Sequence, residues 1–100
     1  MNIKLLRLQT GEDIIAEVKE EPFNFVLKNP CVVYIRPGSN NNATIGLTRW
    51  IPYAESKEIK VDEKWVVVLT DPADDLKNEY NKAFGSGLIV PPTQIAIADK

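Results

Sequence analysis

The sequence predicts a small, mostly β domain, about five strands forming a barrel or strongly bent sheet, with one helix late in the chain. Three observations predict it. Apolar and polar residues alternate over several short stretches, such as Ile14 to Lys19. Short connections rich in Gly, Pro and Asn separate those stretches. Apolar residues at three- and four-residue spacing, behind a helix start signal, occur in one stretch only, residues 71–85.

Ile3 to Gln9 reads as a strand rich in Leu and Ile. Thr10-Gly11-Glu12-Asp13 supplies a turn in which Gly11 can take a positive φ. From Asp13 to Glu20, Ile14, Ala16 and Val18 share one face, while Glu17 and Lys19 share the other with Ile15. These two strands read as a hairpin. Glu21-Pro22 interrupts the pattern, because proline cannot donate to a ladder. Phe23 to Leu27 resumes β composition, Asn29-Pro30 marks a break or bend, and Cys31 to Ile35 continues as strand. Residues 37–42, Pro-Gly-Ser-Asn-Asn-Asn, form the plainest loop. Thr44 to Tyr53 is strand-like, with Trp50 opposite Ile45, Leu47, Arg49 and Ile51. Ala54 to Lys64 is polar and mixed, with a short strand over Glu58 to Val61. Trp65 to Thr70 is a continuous apolar run, expected to be a strand buried on both faces, one of them against a neighbouring subunit.

In the helix, Asp71 is the expected N-cap, Pro72 the first helical residue and Asp74 the third after the cap. Leu76, Tyr80, Ala83 and Phe84 share one face, and Gly85 or Gly87 ends it. The tail from Leu88 to Ala98 is apolar enough to add a last strand over residues 94–98.

With 100 residues the chain reads as one domain, 1–100. Its 44% hydrophobic and 26% charged residues are an ordinary globular composition. The net charge of −2 lacks the basic excess of most nucleic-acid binders, so such binding would need a local patch or base stacking. The N-terminus lacks a signal-peptide pattern, and no apolar run is long enough to span a membrane, so the expected location is cytoplasmic with no membrane partner.

The sequence has no histidine and a single cysteine, Cys31. Histidine is the commonest general base and metal ligand, and zinc sites combine Cys and His at short spacing. Cys31 lies in an apolar run and reads as a buried small hydrophobe. Asp71, Asp74 and Asp75 lack the spacing of a calcium loop and read as helix-capping residues. Gly85-Ser86-Gly87 follows the helix instead of opening one, so it reads as a C-cap. No catalytic residue, metal or cofactor is expected, and the chain reads as a binding protein and not an enzyme. Aromatic residues near basic ones could stack bases: Phe23 and Phe25 near Lys28, and Arg49-Trp50 with Tyr53.

Leu8-x-x-Gly11, then Ala16, Val18 and Glu20, then Phe23-Asn24-x-x-Leu27 resemble the first signature of the Sm-like (LSm) family. Leu8 to Glu12, Leu27 to Pro30, Trp50 to Tyr53 and Glu79 to Gly85 also resemble the small Sm-like proteins associated with marine bacteriophages, over most of the chain. The resemblance implies a strongly bent five-stranded Sm-like (SH3-like) barrel. It implies edge-to-edge β-pairing into a homo-oligomeric ring of roughly five to seven subunits. It also implies single-stranded RNA as a partner, with Asn24 contacting a base and Phe23 stacking on it. Ala16 stands at the family's second glycine, and neither an Arg-Gly pair nor its Lys-His counterpart follows. Two functions are therefore expected: an RNA chaperone or regulator in phage or host RNA metabolism, or a structural, protein-interaction ring that has lost the RNA pocket.

Overall fold

A computed structural model describes residues 2–38, 43–85 and 95–97. Strand β1 (Asn2–Leu8) forms an antiparallel hairpin with β2 (Asp13–Glu21). Gly11 takes φ 91° in the turn, as its position requires, and donates its N–H to the Leu8 carbonyl at 2.9 Å. A second antiparallel hairpin joins β2 to β3 (Asn24–Pro37), a 14-residue strand. Then follow β4 (Ala43–Arg49), β5 (Glu58–Asp62), a 3₁₀ turn over Glu63–Trp65, β6 (Val66–Thr70), helix α1 (Asp74–Tyr80), a π turn over Asn81–Gly85 and β7 (Ile95–Ile97). One sheet runs β6-β1-β2-β3-β4-β7, with β5 also paired to β3. The fold is mostly β, as expected, but the described residues form seven strands where about five were anticipated. Among the described residues the pairings leave the sheet open.

The sheet has an apolar cluster on each face. Leu6, Leu8, Ile14, Ala16, Val18, Leu27 and Val61 form the first, with Phe25, Trp50 and Leu69 packed against it. Ile15, Cys31, Leu76 and Tyr80 form the second, with Leu5, Val33 and Phe84 at its margin. This second cluster explains Ile15. It lies on the face of Glu17 and Lys19, and the late helix covers it there.

The register of β3 contains the main irregularity. Ile15 faces Cys31 and Glu17 faces Lys28, so two steps along β2 match three along β3. The extra residue is a β-bulge at Asn29-Pro30, opposite the fully buried Ala16. The expected break is thus a bend inside one continuous strand. Asn29 takes φ 50°, a region asparagine tolerates, and Pro30 brings no N–H that would need a ladder partner. The same bulge divides the strand on the other side. Cys31 faces Arg49 and Lys28 faces Glu58, so three steps along β3 match nine on its partner. The eight residues 50–57 leave the sheet between β4 and β5, which corrects the reading of Thr44 to Tyr53 as one strand. The excursion is tied down at both ends. Trp50 N–H donates to the Pro30 carbonyl at 2.9 Å, and Asn29 N–H donates to the Lys57 carbonyl at 2.8 Å.

Helix α1 docks at the same place. The buried Tyr80 hydroxyl lies 3.0 Å from both the Lys28 and Asn29 carbonyl oxygens, sharing its proton between them. Leu76 and Tyr80 are buried, and the Tyr80 and Phe84 rings approach to 4.9 Å, so the expected apolar face is the one that packs. The start of the helix differs from expectation. Ala73 occupies the N-cap without a side-chain bond, and Asp71 instead accepts from Lys4 Nζ at 2.6 Å. That ion pair joins the chain leading to the helix to β1 and holds the Asp71 carboxyl below its usual range. Glycine at 85 is the last residue of the helical segment; Gly87 and the stretch Leu88 to Gln94 lie outside the described residues. Strand β7 corresponds to the predicted last strand and pairs with Ala43 to Ile45 of β4.

The β6 register carries an irregularity of its own. Leu8 faces Val66 while Arg7 faces Val68, which leaves Val67 as an extra residue. Alternation is broken there, so Val67 (61% exposed) and Val68 (44%) both reach solvent, while Val66 and Leu69 pack on the first cluster. Within the single chain the strand is half-buried on one side and exposed on the other, the side expected to meet a neighbouring subunit.

Two predictions follow from this packing. Tyr80→Phe removes the hydroxyl from two buried carbonyls and is expected to lower unfolding free energy by about 1–2 kcal/mol. Tyr80→Ala is expected to cost about 3–5 kcal/mol, because it also opens a cavity. Urea melts of the two variants check the order and the sizes. Burial pushes the Cys31 thiol up to about 11. A thiol raised in the folded state leaves stability unaffected below the unfolded pKa near 8.5 and removes it as pH rises toward 11. Wild type should therefore lose stability between about pH 9 and 11 more steeply than Cys31→Ala, as read by melts across that range.

Candidate nucleic-acid interface

The two residues expected to contact RNA sit where β2 turns into β3. Glu21 pairs with Asn24, leaving Pro22 and Phe23 as a two-residue turn. Proline fixes φ near −65° at the first position, and Phe23 takes φ 69° at the second. That second position ordinarily takes glycine or asparagine, which meet no Cβ penalty or little of one. A bulky residue there costs on the order of 1–3 kcal/mol. Phe23 is also 73% exposed, so burial does not offset the strain.

The turn is braced from below. The Phe23 carbonyl accepts the Glu63 N–H at 3.0 Å, which ties it to the 3₁₀ turn. Asp62 caps that 3₁₀ turn through its carboxylate, which accepts from Lys64 N–H at 3.0 Å. Asn24 is half-buried and stands between Glu21 of β2 and Asp62 of β5 in register. The backbone is thus held in place and the aromatic ring is presented to solvent.

The local charge is not basic. Lys60 lies 3.8 Å from Glu21, and Lys64 lies 3.9 Å from Asp62. The lysines nearest the turn are therefore already faced by carboxylates, and Glu20 and Glu63 add negative charge. Stacking and hydrogen bonding would have to supply affinity here, with little from phosphate attraction.

The remaining stacking candidates divide cleanly. Phe25 and Trp50 pack against the first apolar cluster and belong to the core. Tyr53 is 88% exposed on the 50–57 excursion, and its chain neighbours Pro52 and Ala54 line a cleft together with Arg49. The sequence pattern gives no reason to prefer Tyr53 over Trp50, because Asn29-Pro30 marks the bend in β3 but not which residues of its partner leave the sheet. Strand β6 forms a different surface, which also carries the half-exposed Trp65. Its pairing with β1 uses one edge, and among the described residues its other edge is unpaired.

Among the described residues no group of three or more His, Cys, Asp or Glu converges on a point that could hold a metal ion. Asp71 is engaged by Lys4 and does not join Asp74 and Asp75. No helix among them is long and apolar enough to cross a membrane. No protein-family model matches the chain, and no curated protein matches it.

The strain at Phe23 generates a prediction. Phe23→Asn places a residue that tolerates positive φ at the turn, and stability should rise by about 1 kcal/mol or remain level. A melt showing a loss above about 1 kcal/mol would mean that the ring contributes packing and is not simply held out for a partner.

Proposed function

We propose that this chain is an Sm-like, ring-forming protein that binds single-stranded RNA through the Phe23-Asn24 turn. The observation that carries the RNA reading is Phe23 itself, a large aromatic residue held in solvent at φ 69° on a braced backbone. Strain of this kind clusters at ligand-binding sites. Stacking on the exposed ring would be tolerant of base identity, and Asn24 would supply the donor and acceptor for a base edge. The sequence signature quoted above and the long β3, bent at its bulge, support the Sm-like reading.

The ring is supported by β6. Among the described residues, Val66 to Thr70 presents an unpaired edge beside exposed Trp65, Val67 and Val68. An apolar edge of this kind is a template for another strand. The outer edge of β5, Glu58 to Asp62, is also unpaired among the described residues and has the same length of five residues. Pairing β6 of one subunit with β5 of the next is head-to-tail, and a rotation that closes makes a ring.

A second reading is a ring that binds protein instead. The carboxylates facing Lys60 and Lys64 beside Phe23 favour it. Fluorescence anisotropy with labelled uridine- and adenine-rich strands at two salt concentrations separates the two. The RNA reading predicts binding that weakens about fivefold or more in Phe23→Ala and further in the double variant with Asn24→Ala. Undiminished binding by the double variant, or none by wild type, would exclude this turn as an RNA site.

For assembly, light scattering on a sizing column should give a closed oligomer. Val68→Pro, which disrupts the β6 edge, should give smaller species at equal concentration. A monomeric wild type would exclude the ring.

A further inference from the structure

The excursion between β4 and β5 encloses a cleft of about 100 Å³. Asn29 and Pro30 of the β3 bulge form one wall, and Arg49, Ile51, Pro52, Glu55 and Lys57 are among the others. Two features set it apart from an ordinary loop. Its backbone takes positive φ on both sides, at Asn29 (50°), where asparagine tolerates it, and at Ile51 (66°), where a β-branched residue is an outlier and strained. It is also fixed, through the Trp50 to Pro30 and Asn29 to Lys57 hydrogen bonds and through Ala54 N–H donating to the Ile51 carbonyl at 3.1 Å. A loop held this way presents its side chains without the ordering cost of a mobile one.

Arg49 and Lys57 both line the cleft, and among the described residues neither forms an ion pair, unlike Lys60 and Lys64 beside Phe23. Tyr53 projects into solvent between the lining residues Pro52 and Ala54. We propose that this cleft is a nucleotide subsite: the phosphate sits between Arg49 and Lys57, and the base stacks outside on Tyr53.

Size, charge and chemistry each narrow the ligand. Pockets for whole small molecules begin at roughly 300 Å³, so this cleft takes a phosphate while a base must remain outside. Arg49 offers a planar fork of donors to phosphate oxygens, and Lys57 a point charge. Glu55 also faces the cleft and would repel a bare phosphate ion. A ribose phosphate answers that carboxylate with hydroxyl donors, which favours a nucleotide over the inorganic ion. The exposed tyrosine face suits a base of any identity. The inference shares a ligand class with the RNA reading but none of its residues.

The test is an amide chemical-shift titration of the full chain with inorganic phosphate, adenosine, adenosine monophosphate and a hexa-adenylate strand. Saturable shifts confined to residues 49–57 and Asn29 are expected with the monophosphate, the strand or both, and which of them acts identifies the source as free nucleotide or chain. The Arg49→Ala, Lys57→Ala double variant should weaken binding about tenfold or more, and Tyr53→Ala about fivefold or more. These side chains are exposed, and unchanged shifts elsewhere report an intact fold. The Phe23→Ala, Asn24→Ala variant should leave the cleft shifts in place. Absence of cleft shifts with both nucleotide ligands, full binding by the Arg49, Lys57 double variant, or equal affinity for inorganic phosphate would overturn the proposal. Strand binding that is lost on changing Phe23 and Asn24, with no shift in the cleft, would overturn it while leaving the RNA reading intact.

Discussion

The rest of the structure depends on one irregularity, the bulge at Asn29-Pro30. A single extra residue in β3 bends the strand at the point where Ala16 faces it. Backbone groups freed from a regular ladder must find other partners, because a buried unpaired amide or carbonyl costs about 1–3 kcal/mol. Here those partners come from distant parts of the chain. The Tyr80 hydroxyl reaches the Lys28 and Asn29 carbonyls, Trp50 N–H reaches Pro30, and the Lys57 carbonyl receives Asn29 N–H. One bulge therefore seats the helix, bends the sheet and ejects the 50–57 excursion.

From that constraint follow both the two-sided core and the placement of the candidate sites. The bend closes one face of the sheet over Leu6, Ile14 and Leu27, and the helix covers the other over Ile15 and Cys31. Strand β6 lies beyond the helix's main anchors and carries its own bulge at Val67, so its apolar side chains reach solvent. The Phe23 turn and residues 51–57 of the excursion lie outside the buried clusters, and both hold a non-glycine residue at positive φ. The energetic logic is the same at each: packing and hydrogen bonds elsewhere stabilise a backbone that local preference would not choose. They differ in charge. Lysines beside Phe23 face carboxylates, whereas the cations of the excursion are unpaired among the described residues.

Much of the fold was legible because it rests on local pattern. The alternation of Ile14, Ala16 and Val18 marked the inner face of β2, Gly11 marked its turn, and Leu76 with Tyr80 marked the packed face of the helix. Glu58 to Val61 was recognisable as a strand within a polar stretch. The departures all come from non-local constraint. Ile15 looked outward until a helix sixty residues further along the chain covered it. Asp71 carried a good N-cap signature, but Lys4 of β1 offered it a charged partner instead. The bulge at Val67 could not be read in the run from Val66 to Leu69, because periodicity does not show one. The candidate site was legible in the same measure. Phe23 and Asn24 were identifiable by type and order, but neither the positive φ that holds Phe23 in solvent nor the carboxylates beside it could be read. Tyr53 and Trp50 were indistinguishable, since only the register of β3 decides which is core.

The most direct measurement of the central claim is native-state hydrogen exchange at the Asn29 and Trp50 amides. Both are bonded across the bulge, to Lys57 and to Pro30. If the bulge organises the fold, the two amides should open only with the global transition, with protection matching that of Ile14 and Leu27 in the core strands. Rapid exchange at Asn29 and Trp50 while the core amides stay protected would contradict the account, because the excursion would then be a loose loop on a sheet that stands without it.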